Sequence, residues 1–359
     1  MTLPLVHVTG SPYEQGLLHG EALREQIAWN LNLYFARFER ELKLSHTETL
    51  NRAWRYAEAI QQQSPAYYAG MRGIAAGSGF DLAAIAALNV RYELFYDEFS
   101  EKPLPDGCTA FALLPEATVE GHLLIGENWD WIVGVRGAII HTDEPDGFAT
   151  LAFTEAGIFG GKIGFNSAGI GLLINGLTSQ DDDWSRLRRP FHVRCYEILR
   201  CHELETAVRV VTSEDRSCSA NFLLAQAPDR VVNIETSPER VGLSRCQHGC
   251  LVHANHFVNP QALGIVERNI EEKPHSPWRH ARLEHLLRAC QPLTLADLQA
   301  VLRDHEGHPY AVCFHIDPSE PPEQHYESVI SAIIDLGTQR LYVSDGPPCQ
   351  APYVRYSLT

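Results

Sequence analysis

A change of hydrophobic period near residue 107, from that of helices to that of strands, divides the chain. Before it, apolar residues recur at helical spacing, and Ser11-Pro12-Tyr13-Glu14 has the form of a capping box with Pro at the first helical position. We expect one long helix over 12–43, a second through the 50s and 60s, and a third from about Asp81. The whole of 1–100 is therefore predicted to be helical.

From residue 107 the pattern changes to the two-residue period of strands. CTAFALLP and HLLIGENWDW flank a turn-like EATVEG, which predicts a hairpin, and a second hairpin with Gly337-Thr338 in its turn closes the chain. Helices are expected over 190–213 and 277–304. Because strand blocks and helix blocks are separated, the predicted fold class is α+β with mostly antiparallel sheet. The Pro-rich segment 101–107, where the helical period changes to the strand period, is predicted to be an exposed loop.

The charge of the chain limits its partners. A formal net charge of −16 and a pI near 5.5 argue against nucleic-acid binding, which needs a basic surface. No apolar run is long enough to span a bilayer, and the N-terminal residues lack the basic and apolar regions of a signal peptide. We therefore expect a cytoplasmic protein with no membrane partner.

Histidines and cysteines occur in short pairs, which raises the question of a metal site. The pairs are His253 with His256, His305 with His308, and Cys246 with Cys250. None of them forms a known zinc framework, so we expect no metal. On the helix predicted over 277–304, Trp278 and Arg279 are expected to lie on a solvated face beside an apolar stripe made by Leu283, Leu286 and Leu287.

Self-cleavage is chemically possible at the start of the first predicted strand, where the sequence is Asp106-Gly107-Cys108-Thr109. Gly107 has no Cβ, so its carbonyl is open to attack by the Cys108 thiol. The attack would give a thioester, and water would then release residue 108 as a new N-terminus. The freed α-amine, with a pKa of about 7.7–8.0, would take the proton of the thiol. Taken alone, however, a Cys is more often a buried structural residue.

Two polar residues are candidates to support such a nucleophile. Asp130 lies on the return strand of the first predicted hairpin, which would bring its carboxylate back beside Cys108. Asn255 follows a predicted strand end, where its amide would donate to an oxyanion. Taken alone, an Asp in the position of Asp130 more often caps a turn, and Asn255 is equally suited to satisfying loop backbone.

The chain resembles, nearly end to end, the family of acyl-coenzyme A:6-aminopenicillanic acid acyltransferases, also called isopenicillin-N acyltransferases, of the N-terminal nucleophile hydrolase superfamily. Eight segments in the same order carry the resemblance: VTGSPYEQGLLHG (8–20), GIAAG (73–77), DGCTA (106–110), GENWDW (126–131), TEAGIFGGKIGFNSAGIGLLIN (154–175), HANHF (253–257), SPWRHARLEHLL (276–287) and the segment around Cys313. The resemblance implies a four-layer αββα sandwich that cuts itself before the Cys. Cleavage would leave a helical small subunit, 1–107, and a catalytic large subunit, 108–359, held together non-covalently as one compact domain.

The resemblance also implies roles for single residues. Cys108 would be the nucleophile with its own amine as base, Asp130 the partner near that amine, and Asn255 the oxyanion donor. Asn175 is a further candidate for the acyl pocket or the oxyanion hole.

This chain departs from the family after Cys313. The penicillin acyltransferase has an Arg there, whereas this chain has Phe314 followed by His315. A Phe cannot supply the cation of an Arg, so we expect a substrate other than a penicillin. His315 would replace the Arg, or the pocket would accept a more apolar acyl group. Phe314 and His315 are therefore candidate pocket residues.

The expected function is that of a self-cleaving amidohydrolase or acyltransferase that acts on a small linear amide, non-peptide or N-acyl, through an acyl-thioester. No cofactor is expected, and acyl-coenzyme A is the co-substrate if the enzyme is an acyltransferase. Two alternatives stay open. One is an uncleaved Cys–His hydrolase with His253 or His256 as base. The other is a binding module that has kept the fold and lost the chemistry.

Overall fold

The computed structural model describes residues 2–98, 107–267 and 275–358. The predicted exposed loop over 101–107 lies outside these residues except for Gly107, which is buried. The helices of the described part are α1 (Pro12–Ala22), α2 (Arg24–Glu41), α3 (His46–Gln63), α4 (Pro65–Ser78), α5 (Leu82–Asn89), α6 (Arg91–Glu98), α7 (Phe191–Ile198), α8 (Leu204–Thr212), α9 (Pro260–Leu263), α10 (His275–Ala289) and α11 (Leu295–Val301).

The first helix begins at the predicted capping box, in which Ser11 Oγ accepts from the Glu14 N–H and the Glu14 carboxylate accepts from the Ser11 N–H at 2.7 Å. The prediction of one helix over 12–43 is wrong, because the chain leaves the helical conformation at Leu23 (φ −116°, ψ 21°). The break has a packing cause. The backbone of helix α1 lies directly on that of α4, so closely that a Cβ at Gly16 would come 2.1 Å from a carbonyl oxygen of α4. Helix α2 packs instead on α3 and α5, so the chain changes direction between α1 and α2.

Fourteen strands in the described residues form two sheets. The eight-stranded sheet runs in the order β1 (Leu5–Thr9), β4 (Gly137–Asp143), β5 (Ala149–Glu155), β6 (Ile163–Asn166), β7 (Ile170–Gly176), β8 (Ala220–Gln226), β9 (Arg230–Thr236) and β10 (Val241–Ser244). The six-stranded sheet runs in the order β11 (Cys250–His253), β2 (Thr109–Leu113), β3 (Leu124–Ile132), β12 (Tyr326–Asp335), β13 (Arg340–Asp345) and β14 (Tyr353–Ser357). Among the strand pairs of the described residues, β1 and β4 are the only parallel pair. The prediction that 1–100 is wholly helical is therefore wrong at β1.

The two sheets pack face to face, with β2 and β3 of the smaller sheet against β7 and β8 of the larger one. Helices α1 to α5 cover the larger sheet, joined to it by bonds such as Asn30 Nδ2 to the Ala156 carbonyl, and α7 and α8 pack beside them. Helix α10 covers the outer face of the smaller sheet at β11 and β2. The fold is thus a four-layer αββα sandwich of the α+β class, as expected.

Both predicted hairpins are present. Strands β2 and β3 pair antiparallel, and so do β12 and β13, with Gly337 in the intervening turn. Among the described residues, no helix has the length and apolar character needed to cross a bilayer.

Candidate active site

The hairpin of β2 and β3 brings Cys108 beside Asp130. Thr109 pairs with Asn128 across the two antiparallel strands, so the residues just before Thr109 lie opposite those just after Asn128. The Cys108 side chain is 2% exposed, and its Sγ lies 3.9 Å from the backbone oxygen of Asp130. The nucleophile candidate is therefore enclosed in the uncleaved chain, at one edge of the sheet interface.

Gly107 is enclosed as tightly as the thiol that follows it. A Cβ at this position would come 2.7 Å from Asp130 Oδ2 and 2.9 Å from Phe314 Cδ2. Cβ atoms in proteins essentially never come that close to another heavy atom, so a larger residue would displace the carboxylate or the ring. Its φ does not lie in the left-handed region. Glycine is thus required here by close approach.

The carboxylate of Asp130 is fully buried and held by Ser328 of the neighbouring strand β12. Ser328 Oγ donates to Asp130 Oδ1 at 2.6 Å, and the Phe314 N–H donates to the same Oγ at 3.1 Å. The Ser328 N–H in turn donates to the Phe314 carbonyl at 3.1 Å. One serine therefore fixes both groups that contact Gly107, the carboxylate and the aromatic ring.

Arg279, which the sequence pattern predicts to be solvated, lies in the candidate site. It is fully buried, and its Nη1 donates to the carbonyl oxygen of Gly107 at 2.6 Å, to that of Cys108 at 2.9 Å, and to Thr109 Oγ1. The expectation of a solvated face is wrong, because Arg279 shares the buried stripe of α10 with Leu283 and Leu287. The spacing of four residues from Arg279 to Leu283 was the available signal.

Asn255 lies directly behind Arg279. Its Oδ1 accepts from Arg279 Nη2 at 3.0 Å, its Nδ2 donates to the Gly176 carbonyl at 3.2 Å, and its N–H donates to Ser276 Oγ at 2.8 Å. The side chain is 1% exposed. Strand β11, the end of β7 and helix α10 thus all contribute to one hydrogen-bonded unit next to the Gly107–Cys108 bond.

Asn175 and His253 continue this polar network into the larger sheet. Asn175 Oδ1 accepts from Asn221 Nδ2 at 2.9 Å and lies 3.1 Å from His253 Nδ1. The other ring nitrogen of His253 lies 2.8 Å from Glu235 Oε1. Both ring nitrogens of His253 are therefore engaged by groups other than the Cys108 thiol, and Asn175 is linked to the site through His253 and Gly176.

The remaining candidates lie at the margin of this cluster. His256 Nδ1 is 2.9 Å from Ser276 Oγ, and burial, with the charges of His253, His280 and Arg279, lowers the pKa of His256 to about 3. The Phe314 ring faces Gly107, whereas the His315 ring lies among His305, Cys313 and Cys349. The two adjacent pocket candidates thus have different surroundings.

Buried charges lie beneath the hairpin. Glu155 accepts hydrogen bonds from Lys162 Nζ at 2.6 Å and from Arg91. Burial acts to raise the pKa of Glu155, but the charges of these two cations outweigh it and hold that pKa well below its ordinary value. Burial lowers the pKa of Lys162 to about 8, and its Nζ lies 3.2 Å from the ring centre of Trp129. On the same strand β3, burial raises the pKa of Glu127 to about 8.

Comparison with known proteins agrees with this arrangement. The family model for acyl-coenzyme A:6-aminopenicillanic acid acyltransferase matches residues 117–336, more than half of the chain. The protein named acyl-coenzyme A:6-aminopenicillanic-acid-acyltransferase 40 kDa form, from Emericella nidulans, is 28% identical over 319 residues, which cover 86% of this chain and 84% of that protein. The chain is therefore an enzyme of the acyltransferase and amidohydrolase class. It belongs to the family of acyl-coenzyme A:6-aminopenicillanic acid acyltransferases. The matched range includes Asp130, Asn255 and Arg279, and begins after Cys108.

Solved structures give a more distant likeness. The N-acylethanolamine-hydrolyzing acid amidase ortholog of Caenorhabditis elegans has a TM-score of 0.46 and 14% identity, over 64% of this chain and 93% of that chain. A variant of the conjugated bile acid hydrolase of Clostridium perfringens has a TM-score of 0.47 and 12% identity, over 66% and 89%. At such scores no activity is transferred from these proteins to this one.

Proposed function

We propose that this chain is a self-cleaving thiol amidohydrolase or acyltransferase whose nucleophile is Cys108. The single observation that carries the proposal is the bond from Arg279 Nη1 to the Gly107 carbonyl oxygen, 2.6 Å long, at the peptide that would be cut. A buried cation on a carbonyl oxygen stabilises the negative charge that develops when a nucleophile adds to that carbonyl. The cation lies where self-cleavage needs it.

The cleavage is an N-to-S acyl shift followed by hydrolysis. The Cys108 thiol adds to the Gly107 carbonyl carbon, and its proton passes to the Cys108 nitrogen as the C–N bond breaks, which leaves a thioester and a neutral α-amine. Water then adds to the thioester and regenerates the thiol, and the proton of the released Gly107 carboxylic acid passes to the α-amine, which gives a carboxylate and an ammonium. Asp130 lies within reach of Gly107 and is suited to hold the new ammonium, since its other oxygen is fixed by Ser328.

In the mature enzyme the same atoms would serve an external substrate. The α-amine of Cys108 takes the thiol proton, the thiolate attacks the substrate carbonyl, and an acyl-thioester forms. Asn255, through the second hydrogen of the Nδ2 that also donates to Gly176, and Arg279 beside it would stabilise the oxyanion, and each such donor is worth about 3–4 kcal/mol in other acyl-transfer sites. Asn175 would belong to the wall of the acyl pocket. No cofactor is required by these steps.

We propose a small linear amide, non-peptide or N-acyl, as the acyl donor. The name of the Emericella nidulans relative gives acyl-coenzyme A and 6-aminopenicillanic acid as its substrates. The buried Phe314 beside Gly107 favours an apolar acyl group at this site over the penicillin nucleus. Whether water or an amine accepts the acyl group is set by how well the site excludes water, and acyl-coenzyme A is the co-substrate in the second case.

The geometry disfavours an uncleaved Cys–His hydrolase. Glu235 and Asn175 engage the ring nitrogens of His253, and His256 contacts Ser276. Cys108 is also enclosed in the uncleaved chain, which limits the access of an external amide. A silent binding module would need no cation on the Gly107 carbonyl oxygen, whereas self-cleavage uses one at that atom.

The proposal is tested by trapping the acyl-enzyme. Purified protein is incubated with N-acyl amides of increasing chain length and, separately, with acyl-coenzyme A and an amine, and the large subunit is then mapped by mass spectrometry. We expect an acyl adduct on Cys108 and turnover that is lost in Cys108→Ala. The control variant Cys290→Ala removes an exposed thiol that directly follows α10, and it should keep both the acyl adduct on Cys108 and the turnover. Turnover that survives in Cys108→Ala would refute the assignment.

A further inference from the structure

Four potential metal ligands outside the active site meet at one point: His305, Cys313, His315 and Cys349. The Nε2 atoms of His305 and His315 are 3.1 Å apart, and the His315 Nε2 is 3.4 Å from each of the two sulfurs. The sulfurs are 3.6 Å from one another. All four ligand atoms lie within 4.8 Å of each other.

These four separations match four of the six edges of a tetrahedron around a zinc ion. With Zn–S bonds of about 2.3 Å and Zn–N bonds of about 2.0–2.1 Å, two sulfurs lie about 3.8 Å apart, a sulfur and a nitrogen about 3.5 Å, and two nitrogens about 3.3 Å. The observed distances agree with those values to within about 0.3 Å. A Cys–Cys disulfide, by contrast, requires sulfurs at about 2.05 Å.

The four side chains come from three segments that hydrogen bonds hold in place, with Cys313 and His315 on the same one. His305 follows α11, and its neighbour Asp304 accepts at its carbonyl from the Cys313 N–H at 3.0 Å. Cys349 lies between β13 and β14, and Arg303 donates to the carbonyl of the preceding Pro348 at 2.8 Å. Because the ligands are distant in the sequence, the short His305–His308 pair did not reveal them.

We propose that this cluster is a structural Zn²⁺ site. Two thiolates and two imidazoles are a ligand set that zinc prefers, and four protein ligands leave no open position for catalysis. Cys313 is buried, whereas His305 and Cys349 are exposed, so an ion can enter from solvent.

The proposed zinc site lies next to the segment that contacts Gly107 in the candidate active site. Its ligands Cys313 and His315 flank Phe314, whose ring packs on Gly107 and whose backbone is tied to Ser328. Zinc would therefore join the C-terminal connection at Cys349 to the segment that forms one wall around Gly107. The role is positional, and the ion does not touch the reacting atoms.

The test is the zinc content of protein purified under reducing conditions, measured by inductively coupled plasma mass spectrometry. We expect one zinc ion per chain in the wild type and in two control variants, His285→Asn and Cys290→Ser, which change exposed residues outside the cluster. Cys349→Ser and His305→Asn should each lose most of the zinc. Cobalt substituted into the wild type should give the visible absorption of a tetrahedral thiolate complex, and that absorption should be absent from Cys349→Ser.

Three results would overturn the proposal. One is a wild type without stoichiometric zinc after growth in zinc-supplemented medium. Another is a Cys313–Cys349 disulfide found in freshly isolated protein. The third is zinc that stays bound in both ligand variants. If Cys349→Ser does not fold, the wild-type stoichiometry and the cobalt spectrum still decide the question.

Discussion

Replacing Arg279 with Gln should stop the chain from cutting itself efficiently. The Arg279 guanidinium donates to the carbonyl oxygens of Gly107 and Cys108 and to Thr109, and it holds Asn255 through its second nitrogen. Removing one oxyanion donor from a buried acyl-transfer site costs about 3–4 kcal/mol in the transition state. We therefore expect Arg279→Gln to slow cleavage by about 10²–10³-fold. Arg279→Lys keeps the positive charge, but a lysine cannot donate to several acceptors with the planar geometry of a guanidinium. We therefore expect its cleavage rate to lie between those of the wild type and Arg279→Gln.

The assay is a pulse–chase of protein synthesised in vitro, with precursor and products separated by electrophoresis. The matched control is Arg194→Gln, which also removes a fully buried guanidinium, bonded in this case to the carbonyls of Val210 and Asp215. We expect the control to lose thermal stability and still cleave at close to the wild-type rate. Cleavage of folded Arg279→Gln at the wild-type rate would refute the role assigned to this residue.

Three further predictions follow from the contacts around the hairpin. Gly107→Ala should block cleavage, because its Cβ would come 2.7 Å from Asp130 Oδ2, and electrophoresis of the expressed protein reports it. Glu127→Gln should stabilise the protein increasingly as pH rises. The raised pKa of Glu127, about 8, means that wild-type stability is full below pH 4.5 and falls by about 1.4 kcal/mol per pH unit up to pH 8, which denaturant unfolding at several pH values measures. A pH-independent difference would contradict it. His256→Asn should keep amide turnover within a few-fold of the wild type, and loss of turnover in folded protein would favour a Cys–His mechanism instead.

The pairing of Cys108 with Asp130 could be predicted from the sequence because it depends on local structure. A single hairpin links the two residues, and the alternation of apolar residues on each side of EATVEG is enough to indicate it. The α+β class followed in the same way from the change of period near residue 107. Such features need no knowledge of how distant elements pack.

The parts that could not be predicted depend on contacts between distant segments. Arg279 is 172 residues from Gly107 in the sequence, and only the docking of α10 on the smaller sheet brings them together. The break at Leu23 arises from the close approach of α1 to α4, which no local propensity encodes. The four-residue His/Cys cluster likewise requires the C-terminal connection to meet the segment after α11.

Intact mass spectrometry of freshly purified protein shows whether Cys108 becomes an N-terminal residue. We expect two polypeptides, 1–107 and 108–359, that co-purify under native conditions, and the larger one should begin Cys-Thr-Ala on N-terminal sequencing. A Cys108→Ala variant should remain a single chain. A wild type that remains a single chain of 359 residues while it turns over amides would contradict the account.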